Sequence, residues 1–162
     1  MLLTGSFRRS VDSKQRIAVP KRVRDLLRSS DNSAFFITMG TDRSLAFYTQ
    51  EAFEKLARRL ESSSPTGQDV RDFSRMFYAR AHQVELDAQG RFRIPEDLVR
   101  WAQLGDEVVL NGVGDHLEIW DTQHWEAYLN ERQPRYDEIA ERAFTGSIPQ
   151  AETPRQAPHH TP

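Results

Sequence analysis

Two aspartate–arginine pairs, the partners four positions apart in each, are the side chains best placed to do chemistry in this sequence: Asp12 with Arg16, and Asp87 with Arg91. An aspartate at the entry to a turn accepts backbone N–H groups in an Asx-type turn. The arginine that follows either pairs with that carboxylate or projects from the next strand, and spacing alone leaves both open. A projecting guanidinium is a planar fork of donors that matches the O6 and N7 acceptors of guanine in the major groove, a groove that also admits a two-stranded ribbon. Catalytic patterns are missing by comparison. His82, His116, His124, His159 and His160 show no metal-ligand spacing. There is no cysteine, which removes thiol nucleophiles, cysteine-held zinc and disulfides together. No serine sits in a Gly-x-Ser-x-Gly elbow and no glycine-rich loop leads into Lys-Ser/Thr, while Gly112-Val113-Gly114 reads as a hairpin turn. The expectation is a protein that is not an enzyme and uses no metal, cofactor or small-molecule substrate.

The two pairs lie inside an internal repeat. Val11 to Pro20 and Leu86 to Pro95 both read apolar, Asp, three residues, Arg, apolar, any residue, β-branched, Pro. Similarity continues through Val23 and Leu98, Phe36-Ile37 and Val108-Val109, Gly40 and Gly112, Phe47-Tyr48 and Ile119-Trp120, and Phe53 and Trp125. The copies span residues 5–63 and 82–132. Within each, alternation predicts a strand at Arg16–Val19 or Arg91–Ile94. Proline then opens a short helix, with Val23, Leu26 and Leu27 or Leu98, Trp101 and Ala102 turned inward. A hairpin follows around Gly40–Ser44 or Gly112–His116. A helix capped by Thr49 or by Asp121/Thr122 closes each copy and buries Phe53, Leu56 and Leu60 or Trp125, Tyr128 and Leu129. Pro65 is expected to end the first of these helices. Val70, Phe73, Met76, Phe77 and Ala81 recur at helical spacing, so residues 64–81 carry a connecting helix. Five of the eight prolines fall in the last 29 residues, so residues 133–162 are read as a disordered tail whose one periodic piece is Tyr136–Phe144.

The 162 residues carry 22 Lys+Arg against 24 Asp+Glu, a formal charge of -2 that hides a polarised distribution. Residues 1–30 hold Arg8, Arg9, Lys14, Arg16, Lys21, Arg22, Arg24 and Arg28 against Asp12 and Asp25, a net +6. The corresponding stretch of the second copy, residues 84–100, comes to -1. One scaffold decorated in two ways suggests that the first copy faces a polyanion and the second does something else, such as subunit contact. The start of the chain lacks a basic n-region and a long apolar run, so neither export nor membrane spanning is expected and a cytoplasmic location is.

In VDSKQRIAVPKRVRDLL, FFITMGTDRSLAFYTQEAFEKL, VELDAQGRFRIPEDLVRWAQL and VVLNGVGDHLEIWDTQHWEAYL the chain resembles the MraZ transcriptional regulators, over about residues 1 to 130 and with the tail from Pro134 outside. The resemblance implies a mainly β fold with short helices: two tandem SpoVT/AbrB-type repeats whose looped-hinge hairpins swap into a double-split β-barrel, an intrachain pseudo-dimer. It also implies closed homo-oligomeric rings, association with the nucleoid, and binding of double-stranded DNA at short G-rich direct repeats upstream of the division and cell wall gene cluster, its own gene included. The family's contact motif falls here on Asp12–Arg16 and Asp87–Arg91. Arg16 and Arg91 are its key arginines, and the expectation for this chain is that Arg16 reads guanine, Asp12 orients the turn, and Arg8, Arg9, Lys14, Lys21 and Arg22 bind phosphates, with Asp87, Arg91 and Arg93 the DNA-binding candidates of the second copy. Two positions depart from the pattern. Gln15 stands where the family usually has glycine, so either that residue takes a strained conformation or the first turn differs, and Gln89 replaces a usual lysine. An antitoxin-like DNA-binding module and an oligomeric scaffold without DNA are the alternative readings.

Overall fold

The computed structural model describes residues 1–28, 34–63 and 66–146. In chain order the elements are β1 (Ser6–Ser10), β2 (Arg16–Ala18), α1 (Lys21–Arg28), β3 (Phe35–Met39), β4 (Leu45–Thr49), α2 (Gln50–Glu61), α3 (Gln68–Ala79), β5 (His82–Val84), β6 (Arg91–Arg93), α4 (Glu96–Ala102), β7 (Glu107–Gly112), β8 (His116–Asp121), α5 (Thr122–Arg132), a 3-10 turn at Gln133–Arg135 and α6 (Tyr136–Thr145). The described residues divide into two compact units, residues 1–126 and the part of the chain from residue 127 to 146.

In the first unit, six strands form one antiparallel sheet in the order β1-β7-β8-β4-β3-β5, and β2 pairs with β6 as a separate ribbon. The order is reciprocal between the halves. β1 of the first half lies on β7 of the second, while β5 of the second lies on β3 of the first. At the junction Leu45 opposes Ile119 and Phe47 opposes Leu117, so the residues that match by repeat exchange partners across a pseudo-two-fold axis. The ribbon obeys the same rule: Arg16 opposes Arg93, Ile17 opposes Phe92 and Ala18 opposes Arg91.

Burial follows from this interlock. Ile17, Phe92, Ile94, Leu98, Leu27, Leu110 and Ile119 all lie in a single core to which both halves contribute, so neither half encloses its own apolar residues. That core cannot form by halves. A smaller cluster joins Ala46, Tyr48 and Ala52 to Phe77 of α3, whose carbonyl accepts the Thr38 hydroxyl at 2.7 Å. The helix caps are local: Thr49 accepts the Ala52 N–H at 3.2 Å, and Asp121 Oδ2 accepts those of Gln123 and His124 at the start of α5.

Three expectations need correction. The fold is mixed, with more described residues in helices than in strands, because α2, α3, α5 and α6 run 10 to 12 residues while β2, β5 and β6 have three each. Hydrogen bonding closes no barrel among the described residues. The ribbon strands pair only with each other, since a turn precedes each and Pro20 or Pro95, which has no N–H to donate, follows close behind. Leu26 is not turned inward but 36% exposed, α1 burying Val23 and Leu27 instead. Within the stretch read as a tail, the periodic piece at Tyr136–Phe144 is the helix α6, Tyr136–Thr145, entered through the 3-10 turn at Gln133–Arg135. Pro65 and residues 147–162 lie outside the described residues.

In the second unit, Arg132 lies over the Tyr128 ring at 5.5 Å, and Glu138 pairs with Arg135 and Arg142.

The two repeat turns share one conformation. Gln15 has φ 59° and Gly90 φ 75°, both left-handed, so Gln15 accepts the strained backbone and the turn does not differ. Each turn is also fastened to the other half, for the Gln15 carbonyl accepts the Ile94 N–H and the Gly90 carbonyl accepts the Val19 N–H, both at 2.9 Å. Gly90 meets a second demand, since a β-carbon there would overlap the Arg24 side chain, whose Nη1 donates to the Gln89 carbonyl. Gly90→Ala should therefore lose about 1–2 kcal/mol from the left-handed backbone alone, and displace Arg24 as well. Gln15→Gly should instead fall within about 1 kcal/mol of the parent, because relieved strain and added chain entropy offset one another. Urea unfolding of both variants measures the contrast.

Candidate nucleic-acid interface

The aspartate–arginine pairs form two copies of one clamp. Asp12 Oδ1 accepts the N–H groups of Lys14 and Arg16 at 2.9 and 2.8 Å, and Oδ2 accepts Arg16 Nε at 2.7 Å. Asp87 does the same for Gln89, Arg91 and Arg91 Nε at 3.0, 2.9 and 2.9 Å. The backbone N–H of the arginine, foremost, and then its guanidinium outweigh desolvation and hold each carboxyl below the usual carboxylate range. Both alternatives left open by the spacing are thus realised at once. The carboxylate makes the turn and also steers the arginine, occupying Nε and leaving the outer Nη edge of Arg16 without a hydrogen bond among the described residues.

The ribbon sets what these arginines face. Alternation along β2 and β6 sends Ile17 and Phe92 into the core and places Arg16, Ala18, Arg91 and Arg93 on the outer face. Arg16 and Arg93 are direct cross-strand neighbours, an arrangement that is destabilising unless something negative lies against it. Arg93 is exposed and has no ion pair among the described residues. Arg9 adds to the cluster, its Nε donating to the Ala18 carbonyl at 3.1 Å, and Lys14 stands exposed on the first turn. The ribbon and its turns therefore gather Arg9, Lys14, Arg16, Arg91 and Arg93, of which Arg16 and Arg91 pair with Asp12 and Asp87. Such a face can bind a polyanion and present planar donors to it.

Not all the basic residues of the first 30 belong to it. Arg8 leaves the opposite face of β1 from Arg9 and is engaged by Glu107 at 3.1 Å and by Glu126. Lys21 and Arg22 lie exposed at the start of α1, a helix with no acidic residue in its first turn. At the matching start of α4 stand Glu96 and Asp97, and Asp97 serves the fold, since Arg80 and His82 reach it at 3.1 and 3.2 Å. Burial pushes the Asp97 carboxyl up, but these two partners outweigh it and hold the group low. The charge difference between the copies thus has a local cause on the second side. Arg24, counted from the sequence only among the basic residues of the first copy, has a contact with the Gly90 turn that becomes visible only once the halves interlock.

His116 pairs with Asp115 at 2.8 Å and stacks on Tyr48, and no group of three or more histidine and acidic side chains among the described residues is arranged to hold a metal. No helix among them is long and apolar enough to cross a membrane.

The clamp predicts a pH dependence. A carboxyl held low in the fold contributes stability that is complete above its unfolded pKa, about 3.9, and is lost as pH falls through the lower folded value. Asp12→Asn/Asp87→Asn should be less stable than the parent at neutral pH, and the gap should close only below about pH 4. Thermal melts of both proteins across a pH series read it directly.

Comparison with known proteins places the chain in a family. Residues 77–146 match a family model described as "MraZ protein, putative antitoxin-like", a stretch that runs through α6 and so past Pro134, where the resemblance was expected to stop. A "Transcriptional regulator MraZ" of Finegoldia magna is 36% identical over 140 residues, covering 86% of this chain and 95% of that protein. A second protein of that name, from Mesoplasma florum, is 34% identical over 146 residues, covering 90% and 98%. With relatives this similar along almost their whole length, the chain belongs to the MraZ family of transcriptional regulators.

Proposed function

We propose that this chain is a sequence-specific, double-stranded-DNA-binding regulator of transcription and not an enzyme. It reads short G-rich direct repeats upstream of the division and cell wall gene cluster, its own gene included, and acts in the cytoplasm at the nucleoid. The observation that carries the reading is the outer face of the β2–β6 ribbon, where Arg16, Arg91 and Arg93 stand together over a buried Ile17–Phe92 floor. A two-stranded ribbon fits the major groove, and the guanidinium fork pairs with guanine O6 and N7. Arg16 is the base reader in this account, with Nε held by Asp12 and its Nη edge directed at the base. Lys14 and Arg9 at the ribbon, and Lys21 and Arg22 on α1, bind phosphates. Arg8 is the exception among the contacts expected from sequence, since two glutamates already engage it.

The ribbon is small, so one chain on one repeat binds weakly. A closed ring of copies engaging several repeats at fixed spacing gains effective concentration without any new contact. In this reading each repeat of the chain is a SpoVT/AbrB-type unit and the chain as a whole is their pseudo-dimer, an assignment supported by the reciprocal strand pairing of the two halves.

Fluorescence anisotropy on the DNA upstream of the protein's own gene tests the proposal. Arg16→Ala should cost about 1–3 kcal/mol and relax base preference, whereas Lys21→Ala should weaken all sequences alike and lower the salt slope by about one. Arg8→Ala should change affinity less than Arg9→Ala. Undiminished binding by Arg16→Ala would remove that residue from its role, and equal affinity for one, two and three repeats would remove the ring.

A further inference from the structure

The two faces of the six-stranded sheet are used differently. On one, Phe47 of β4 packs against Phe92 of the ribbon, with ring centres 4.8 Å apart. Its neighbour Tyr48 turns to the other face, because side chains alternate along a strand. There Tyr48 stands opposite His116 of β8, across the seam where the two halves of the chain meet, and the two rings stack at 4.7 Å. Helix α2 covers this face, with Leu56 packed into the cluster around Tyr48. A cavity of about 200 Å³ remains there, lined by Tyr48, Lys55, Leu56, Arg59, Asp115 and His116. That volume suits a ligand smaller than a typical cofactor.

The lining is rich in donors that have nothing to donate to. Lys55 and Arg59 lie one turn apart on the same side of α2, exposed, and neither side chain has an ion pair or hydrogen bond among the described residues. Arg58 between them, by contrast, reaches Glu54 at 3.9 Å. Tyr48 is only 8% exposed, yet its hydroxyl has no hydrogen bond among the described residues. Burial foremost, and then the charges of Asp115 and Glu118, push that hydroxyl up to about 12, so at neutral pH it keeps its proton and is a donor. The acids nearby are already engaged: Asp115 holds His116 Nδ1 at 2.8 Å, and Glu118 accepts the Trp120 Nε1–H at 2.8 Å. A buried donor without a partner is costly, and an acceptor entering the cavity would relieve that cost.

We propose that this cavity binds a small phosphate monoester, with Lys55 and Arg59 holding the phosphate at the mouth and the Tyr48 hydroxyl donating to it from the floor. A tetrahedral oxyanion accepts from several directions at once, which suits a guanidinium fork, an ammonium and a phenol converging from a helix and a strand. A duplex backbone would meet the two exposed cations but would not reach a tyrosine this deeply buried. The site lies on the far side of the sheet from the ribbon, so ligand and DNA do not compete for it. Because the cavity joins α2 of the first half to the β7–β8 hairpin of the second, its ligand favours the interlocked fold over the unfolded chain by mass action. The inference is independent of the DNA reading.

Thermal melts and calorimetric titration of the full chain with ribose 5-phosphate, inorganic phosphate and uncharged ribose test it. Ribose 5-phosphate at about ten times its dissociation constant should raise the melting temperature by about 3–6 °C, inorganic phosphate should act more weakly, and ribose should do nothing. Lys55→Ala/Arg59→Ala should abolish the shift and leave affinity for the DNA repeat unchanged. Tyr48→Phe, which keeps the stacked ring, should weaken ribose 5-phosphate about tenfold. Arg16→Ala should bind the sugar phosphate as the parent does. Circular dichroism checks that each variant is folded. No binding of either phosphate would overturn the proposal, as would binding that survives Lys55→Ala/Arg59→Ala or is lost in Arg16→Ala, which would put the anion on the ribbon. Binding indifferent to Tyr48→Phe would show two surface cations and no occupied cavity. Loss of DNA affinity in Lys55→Ala/Arg59→Ala would assign those cations to the DNA interface instead.

Discussion

The β2–β6 ribbon is the point on which the two halves of this protein depend. It has three residues on each side, too few to persist alone, and it survives because its inner face is Ile17 against Phe92 at the centre of the shared core. The turns that lead into it are fixed twice, by Asp12 or Asp87 from within and by a carbonyl bond to the far strand from without. A change that loosened one half would withdraw support from the other. The chain is accordingly a reciprocal structure in which local turn chemistry and global pairing reinforce each other, the consistency across levels that favours a single native state.

That reciprocity also explains how a basic face can be assembled at modest cost. Arg16 and Arg91 are oriented by carboxylates in their own turns, so their long side chains have already lost much of their freedom before any ligand arrives. Like charges are held opposite one another by the hydrophobic packing beneath them. The ion pairs elsewhere in the first 30 residues act differently: Arg8 and its glutamates lie more than half exposed and contribute little to stability, but they take one cation out of the basic set.

Much of this was legible in the sequence. The repeat located both clamps, alternation identified Ile17 and Phe92 as inward residues, and proline, Thr49 and Asp121 marked helix starts where helices α1, α4, α2 and α5 begin. What could not be read was everything that depends on partners distant along the chain. Arg8 looks like its neighbour Arg9 until Glu126 arrives from 118 residues away. Arg24 looks like surface until Gly90 is laid beneath it. Leu26 satisfies the helical period but lies at the edge of a stripe that the short α1 fills with Val23 and Leu27. Gln15 departs from the glycine expected at a left-handed position, and only the hydrogen bonds around it explain why the same turn forms. In the proline-rich stretch from residue 133 onward, by contrast, the periodicity of Tyr136–Phe144 already marked α6, and the prolines other than Pro134 fall after that helix.

The pseudo-two-fold axis through Ile17 and Phe92 is imperfect at one place on the outer face. It relates Arg16 to Arg91, which are alike, but relates Ala18 to Arg93, which are not. One end of the ribbon therefore sets two guanidinium groups side by side, and the other sets one across from a methyl group. A ribbon made by two identical chains could not do this, since every substitution would appear twice. Fusing the copies into one polypeptide has given the face a direction, so a molecule lying along it in one sense is not equivalent to the same molecule reversed.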